Sequence, residues 1–286
     1  MCRTVDLHQA VLAKNDTNAV ELRRTLDDRG TTAVNLMSSP GSGKTALLEA
    51  LLTRAVAGGI PAAAVTADLA TENDATRLAR SGAPVRQILT DGLCHLEAGM
   101  LGAKLEGWLP EGTRLLFVEN VGNLVCPASY DLGETLRIAL ASVTEGEDKP
   151  VKYPAAFGLA HLVVVTKSDL AEAVEFDRDA FLGGVQQVNP GVPVIETSAR
   201  TGEGVDALLA HVLQAADGLE SHVPVLARQH EKHLHHHHDD EDASAADHSH
   251  APSGAIEHSH APAGAAEHSH APAEAAQHSH APAGTS

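Results

Sequence analysis

Cys94, His95 and Cys126 are the residues whose types speak most directly to chemistry. Two sulfurs and an imidazole suit a soft or borderline metal ion such as nickel (Ni²⁺) or zinc (Zn²⁺). Cys94 and His95 follow an apolar run ending near Thr90, and Cys126 lies a few residues beyond Glu119-Asn120-Val121-Gly122-Asn123. That segment in turn follows the apolar run Leu115-Leu116-Phe117-Val118. If both runs are strands of a parallel sheet, the three donors start on one sheet edge, where ligands collect. Two thiolates and one imidazole are one donor short of a closed tetrahedral site, which leaves room for water, a substrate thiol or a group from a second subunit. Two separately buried cysteines are the bland alternative. An adjacent Cys-His pair plus a loop cysteine before Pro127 favours metal.

A second constellation precedes them in the chain. Ser38-Ser39-Pro40-Gly41-Ser42-Gly43-Lys44-Thr45 follows the run 32–37 and opens Ala46-Leu47-Leu48-Glu49. Strand, glycine turn and helix are the setting a phosphate-binding loop requires. Gly41, Ser42 and Gly43 let backbone N–H groups converge on phosphate oxygens; Lys44 is expected to reach the β- and γ-phosphates, and Thr45 to place its hydroxyl on Mg²⁺. The first glycine of the usual pattern is replaced by Ser38. If the Glu119 run also ends at this phosphate site, metal and nucleotide share one moving piece of backbone.

The base is addressed by Val163-Val164-Val165-Thr166-Lys167-Ser168-Asp169, which resembles the Asn-Lys-x-Asp element of GTPases with Thr166 in place of the asparagine. Asp169 is expected to accept from guanine N1–H and N2–H₂, donors that adenine lacks. Thr197-Ser198-Ala199-Arg200 resembles the second guanine loop, with Ser198 and the Ala199 backbone N–H near the guanine O6. GTP and GDP are therefore the expected nucleotides. Asp68 and Asp74, just after the second strand, are candidates to hold Mg²⁺ or to orient the attacking water, and Glu119 for the Mg²⁺ water shell. A capped helix start is the plain alternative around Asp68 and Asp74, with Thr71 or Asn73 as the cap.

These groups need an α/β scaffold: a P-loop NTPase with a mostly parallel sheet flanked by helices. Strands are expected at 32–37, 61–66, 84–90, 113–119, 136–143, 161–166 and 192–197, with helices at 44–57, 72–81, 96–107 and 205–217. A leading helix is expected at 6–29. Aromatics are 2% of the chain, so the core must be built from Ala, Val, Leu and Ile. The domains read as a helical segment 1–30, a nucleotide-binding domain 31–222 and a disordered His-rich tail 223–286, the composition shifting near residue 228.

The net charge is −18, and residues 230–286 hold nine acids against Lys232. The acidic body argues against nucleic acid as a partner. No apolar run approaches the roughly 20 residues that span a bilayer, and the N-terminus lacks a signal-peptide core. Three cysteines fit a reducing compartment, so the expected location is the cytoplasm. In the tail, His-Ser-His-Ala-Pro recurs at 248–252, 258–262, 268–272 and 278–282, and the tail holds 14 of the 19 histidines. It cannot bury enough apolar surface to order itself. His235, His236, His237 and His238 form one run. The His-x-His pairs are His248 with His250, His258 with His260, His268 with His270, and His278 with His280. All of them suit Ni²⁺, Cu²⁺ or Zn²⁺ as a loose buffer or store.

Taken together, residues 35–45, 68–74, Cys94-His95-Leu96-Glu97-Ala98, 119–127 and Glu145-Gly146-Glu147-Asp148-Lys149-Pro150 resemble the hydrogenase nickel-incorporation GTPases, the HypB family, over about residues 5–220. The resemblance implies GTP-dependent homodimerisation and a metal site of Cys94, His95 and Cys126 at the dimer interface. It also implies delivery of Ni²⁺ to the large subunit of [NiFe]-hydrogenase and a nickel-binding partner of the HypA type. Some members carry an N-terminal Cys-x-x-Cys-Gly-Cys site; here Cys2 is followed by Arg3, Thr4 and Val5, so that site is expected to be absent. The urease nickel-chaperone GTPase is the nearest rival, but its pattern puts Cys-Pro-His on one loop. A nickel store with a vestigial GTPase and an ATP-dependent kinase are the rivals from other classes.

Overall fold

The computed structural model describes residues 2–68, 73–90, 92–219 and 221–227. The tail histidines proposed as metal ligands all lie outside the described residues: His235, His236, His237, His238, His248, His250, His258, His260, His268, His270, His278 and His280. The reading of the tail as a metal buffer therefore rests on sequence alone. Seven strands form one sheet in the order β3-β2-β4-β1-β5-β6-β7, and all neighbours pair in parallel. The strands are β1 (Thr32–Ser38), β2 (Ala62–Asp68), β3 (Val85–Leu89), β4 (Leu115–Glu119), β5 (Leu136–Ser142), β6 (Leu162–Thr166) and β7 (Val194–Glu196). The helices are α1 (Cys2–Asp28), α2 (Lys44–Ala57), α3 (Asn73–Ala79), α4 (Ala98–Leu105), α5 (Lys149–Lys152), α6 (Pro154–Gly158), α7 (Arg178–Val188) and α8 (Val205–Ala216).

A parallel sheet is covered on both faces, so its strands read as unbroken apolar runs. Leu115 and Phe117 turn to the face under α2 and α8, whereas Leu116 and Val118 turn to the face under α1 and α4. Leu47, Leu48, Leu51 and Leu52 of α2 are fully buried, each Leu→Ala change there costing about 2–5 kcal/mol. The alanines of β2 let helices approach closely without aromatic filling.

Every expected strand is present within about two residues, and the leading helix runs Cys2–Asp28. α7 is an addition to the expected elements. Asp177 caps it by accepting from the Ala180 N–H, and Phe181 and Val185 bury one face; this start signal and the four-residue spacing are readable in the sequence. No helix among the described residues is long and apolar enough to cross a membrane.

β1 has β4 on one side and β5 on the other. The chain leaves β1 toward β2 on one flank and later adds β5 on the opposite flank. The crevice at this switch point, beyond the strand C-termini, is where an open α/β sheet holds its ligand.

Candidate nucleotide and metal site

The turn after β1 depends on two left-handed glycines, Gly41 at φ 74° and Gly43 at φ 92°. Any other residue is strained there. Ser38, in place of the first glycine, is the extended last residue of β1, fully buried, and its hydroxyl donates to the Ser39 carbonyl at 2.9 Å. Glycine is not needed at that position.

Lys44 and Thr45 begin α2 and both face Glu119, the last residue of β4. The Thr45 hydroxyl donates to Glu119 Oε1 at 2.6 Å, and Lys44 Nζ stands 3.6 Å from the same oxygen. Glu119 is 1% exposed. Burial raises its pKa, against the lowering pull of Lys44 and Thr45. Its Oε2, Ser42 Oγ and Thr66 Oγ1 are buried with no hydrogen-bond partner among the described residues; Thr66 faces the carboxylate but falls short of hydrogen-bond geometry. Two of these, on Ser42 and Glu119, belong to residues that line one cavity, as in a site shaped for a polar ligand. That cavity, about 450 Å³, is lined by the 40–46 loop, Asp74, Arg77, Glu119 and Gly122. Asp74 lies in the first turn of α3 and pushes the pKa of Glu119 up through its charge. Asp68 ends β2, and its side chain, with residues 69–72, is outside the described residues.

A second cavity of about 420 Å³ adjoins the first and is lined by Gly43, Thr166, Lys167, Asp169, Ala199 and Arg200 among others. Thr166 Oγ1 donates to the Ser42 carbonyl at 2.5 Å and Lys167 Nζ to the Gly41 carbonyl at 2.8 Å. The hydroxyl that replaces asparagine thus still ties this segment to the phosphate loop. Asp169 accepts from Ser198 Oγ at 2.5 Å and from Arg200 Nε at 2.8 Å. The Ser198 hydrogen bond, then the Arg200 pair, holds its carboxyl below the usual range. Gly204 is required by close approach, since a Cβ there would meet the Glu196 carbonyl oxygen at 1.9 Å. The dimensions suit a nucleotide with phosphates at Gly41–Thr45 and a base at Asp169.

The β2-β4-β1 order sets the Glu119 turn beside the phosphate loop. A Cβ on Gly122 would lie 3.1 Å from Pro40 Cα, so the turn packs directly on that loop. One residue on, Asn123 Nδ2 donates to the Cys94 carbonyl at 3.4 Å, while its Oδ1 accepts from the Val125 N–H at 2.8 Å. Cys94 Sγ lies 3.8 Å from His95 Nδ1. The neighbouring Cys126 thiol, and then burial, push the Cys94 pKa up. His95 stacks on Tyr130 with centroids 3.8 Å apart. Its Nε2 is buried with no hydrogen-bond partner among the described residues, 3.6 Å from Glu97 Oε1.

Cys94, His95 and Cys126 are therefore neighbours in pairs. Among the described residues no three His, Cys, Asp or Glu side chains are arranged as a ready-made metal cage. The donor chemistry suits a thiophilic ion, and the thiol pair and the orphaned imidazole nitrogen are the groups an incoming ion could engage.

Reading residues along the chain gives no role to three contributors. Tyr130 carries no spacing signal and is found only by its stack on His95. Lys149 reaches the phosphate loop, donating to Ser39 Oγ at 3.0 Å while paired with Glu145 at 3.2 Å. Arg137 braces the segment after Cys126, donating to the Ala128 and Tyr130 carbonyls and to Glu134. Glu134 in turn joins Asn35 and Asn120 in a buried polar line that reaches the residue after Glu119.

Residues 32–196 match the family model described as CobW/HypB/UreG, nucleotide-binding domain. The hydrogenase maturation factor HypB of Rhizobium leguminosarum bv. viciae is 43% identical over 208 residues, covering 73% of this chain and 69% of that protein. The crystal structure of HypB from Helicobacter pylori in complex with nickel superposes with a TM-score of 0.68 at 37% identity, over 73% of this chain and 98% of that one. HypB from Archaeoglobus fulgidus superposes at 0.66 with 36% identity, over 71% and 99%. The chain belongs to the HypB hydrogenase maturation factors of the CobW/HypB/UreG nucleotide-binding family.

Proposed function

We propose that this chain is a GTP-hydrolysing nickel metallochaperone that helps insert Ni²⁺ into the large subunit of [NiFe]-hydrogenase. One stretch of backbone carries the reading: Glu119 at its start is held by Thr45, Gly122 packs on Pro40, Asn123 bonds the Cys94 carbonyl, and Cys126 follows three residues later. In this reading the amides of Gly41, Ser42 and Gly43, with Lys44, take the phosphates. Thr45 and Asp68 would hold Mg²⁺, which would supply positive charge against the phosphates. Serving them requires Thr45 and Lys44 to turn away from Glu119, which strips a buried carboxylate of its partners. The turn then has a lower-energy position to seek, and Cys126 moves with it. Asp74 is the candidate to orient water. Asp169 reads guanine, Ser198 holds that carboxylate, and the Ala199 N–H faces O6.

The donor set is short of four within one chain, so a second copy, or the recipient, completes it. We assign a homodimer to the GTP-bound form, a HypA-type protein as nickel partner, the hydrogenase large subunit as recipient and the cytoplasm as location. Zn²⁺ fits the same donors, and the tail histidines, from His235 to His280, act as a nickel buffer.

The test uses the full chain carrying Cys2→Ser, so that sulfur-to-nickel charge-transfer absorption arises from Cys94 and Cys126 alone. Nickel titrations with GDP and with a non-hydrolysable GTP analogue should differ several-fold in affinity or band shape. Identical titrations, or GTP-dependent nickel transfer at the parent rate by a Cys94→Ala/Cys126→Ala variant, would refute the coupling.

A further inference from the structure

The geometry points to Asn15 of α1 as a positioning residue that fixes the separation of the two segments carrying Cys94 with His95 and Cys126. The inference rests on the metal-site reading above. Asn15 is 2% exposed. Its Oδ1 accepts from the Ala98 N–H at 2.9 Å, and its Nδ2 donates to the Asp131 carbonyl at 2.8 Å. Ala98 opens α4 three residues after His95, and Glu97 at the cap position makes no cap hydrogen bond with its own side chain; Asn15 supplies that bond from another helix. Asp131 directly follows Tyr130, on which His95 stacks. One amide therefore spans the two segments, with its orientation set by a donor at one end and an acceptor at the other.

Other contacts make α1 a fixed reference. Arg23 grips both Asp131 carboxylate oxygens at 2.9 and 2.8 Å. Gly133 lies so close to α1 that a Cβ would meet the Ala19 carbonyl oxygen at 2.6 Å. Asn123, by contrast, ties Cys94 to the nucleotide-side turn through a long 3.4 Å bond. Cys126 thus stands between an end anchored on α1 and an end packed against the phosphate loop. A displacement of the 119–126 turn becomes a change at the thiols only if the far end holds still.

The test compares Asn15→Asp, which keeps the acceptor and shape but loses the donor, and Asn15→Leu, which loses both, in the full-length Cys2→Ser chain. Nickel affinity read from the thiolate charge-transfer band should fall about tenfold, the range for support outside the ligand set. The ratio of affinities with GDP and with the GTP analogue should move toward one. Guanine nucleotide affinity should stay within about twofold, a split that general loss of structure does not produce. Should Asn15→Leu fail to fold, Asn15→Asp and the unaltered chain still decide: hydrogen exchange at the Ala98 amide should slow when nickel binds. Unchanged affinity and ratio in Asn15→Asp, or Ala98 exchange indifferent to nickel, overturns the role of Asn15. Cys94→Ser separates the two readings: nickel affinity and a charge-transfer band both unchanged there overturn the metal site itself.

Discussion

Replacing Asp169 tests the guanine reading proposed for it. Its carboxylate is held by Ser198 on one oxygen and by Arg200 on the other, and the Arg200 side chain is 76% exposed. Displacing so exposed a pair costs about 0–1 kcal/mol. In exchange guanine offers two donors to an ionised acceptor, each hydrogen bond contributing about 1.5–3 kcal/mol. The difference is about 3 kcal/mol, so Asp169→Ala should weaken GDP roughly a hundredfold while leaving the phosphate contacts intact. Asp169→Asn carries one donor and one acceptor, the complement of xanthine's C2 carbonyl and N1–H, and should favour xanthosine over guanosine diphosphate. Equilibrium competition against a fluorescent GDP analogue, with ADP and xanthosine diphosphate as competitors, reads all three. A loss under about threefold in Asp169→Ala, or ADP competing as well as GDP against the parent, refutes the assignment. Arg200→Ala gives the converse: removing the exposed occupant should tighten GDP by up to about fivefold.

Arg137→Met should cost about 3–5 kcal/mol by stranding buried Glu134, seen as a lower urea midpoint, with Arg137→Met/Glu134→Gln recovering much of the loss; an equally unstable double variant contradicts this. The pair also sets an acid limit. Arg137, opposing burial, holds Glu134 at about 2 against an ordinary 4.5, so its contribution is present above about 4.5 and is lost as pH falls toward 2. His161 is held neutral down to about 4 by burial and the charge of Arg137; the unfolded chain protonates it first, so stability begins to fall below about 6.5. His161→Asn, which keeps an acceptor for the Arg137 N–H, should flatten the 6.5-to-4 part of a stability–pH curve. Gly43→Ala, at φ 92°, should cost about 1–2 kcal/mol and weaken GTP and GDP alike; a stability and affinity equal to the parent contradicts the turn. Removing residues 230–286 should lower the number of nickel ions bound while preserving the thiolate band and GTP hydrolysis, and loss of hydrolysis would mark the tail as part of the switch.

Much of the scaffold was legible along the chain because a parallel sheet imposes a local signature. Strands buried on both faces are runs such as Leu115–Val118, and helices after glycine turns begin at residues such as Lys44. Short helices carry less of that signal: α5 and α6 occupy nine residues around Pro150 and Pro154 and owe their shape to packing against α7. The asparagine missing from the guanine element could not be judged in sequence either. Whether Thr166 suffices depends on a 2.5 Å reach to the Ser42 carbonyl, a distance across 124 residues of chain.

By itself the sequence determined the inventory: a phosphate loop with its lysine and threonine, an aspartate proposed for the base, and two thiols with one imidazole. Each is a matter of residue type and short-range spacing, which local chemistry dictates. Only the tertiary structure decided what these groups do to one another. Strand order, not chain order, set β4 beside β1, so Glu119 became the resting partner of Lys44 and Thr45, with the turn to Cys126 lying on the phosphate loop. The same long-range packing brought Tyr130 under His95 and one asparagine of α1 between the segments that carry the two cysteines. Contacts that close loops of roughly 35 to 116 residues leave no periodicity to read, because their free energy comes from burial and complementarity that exist only once the chain has folded.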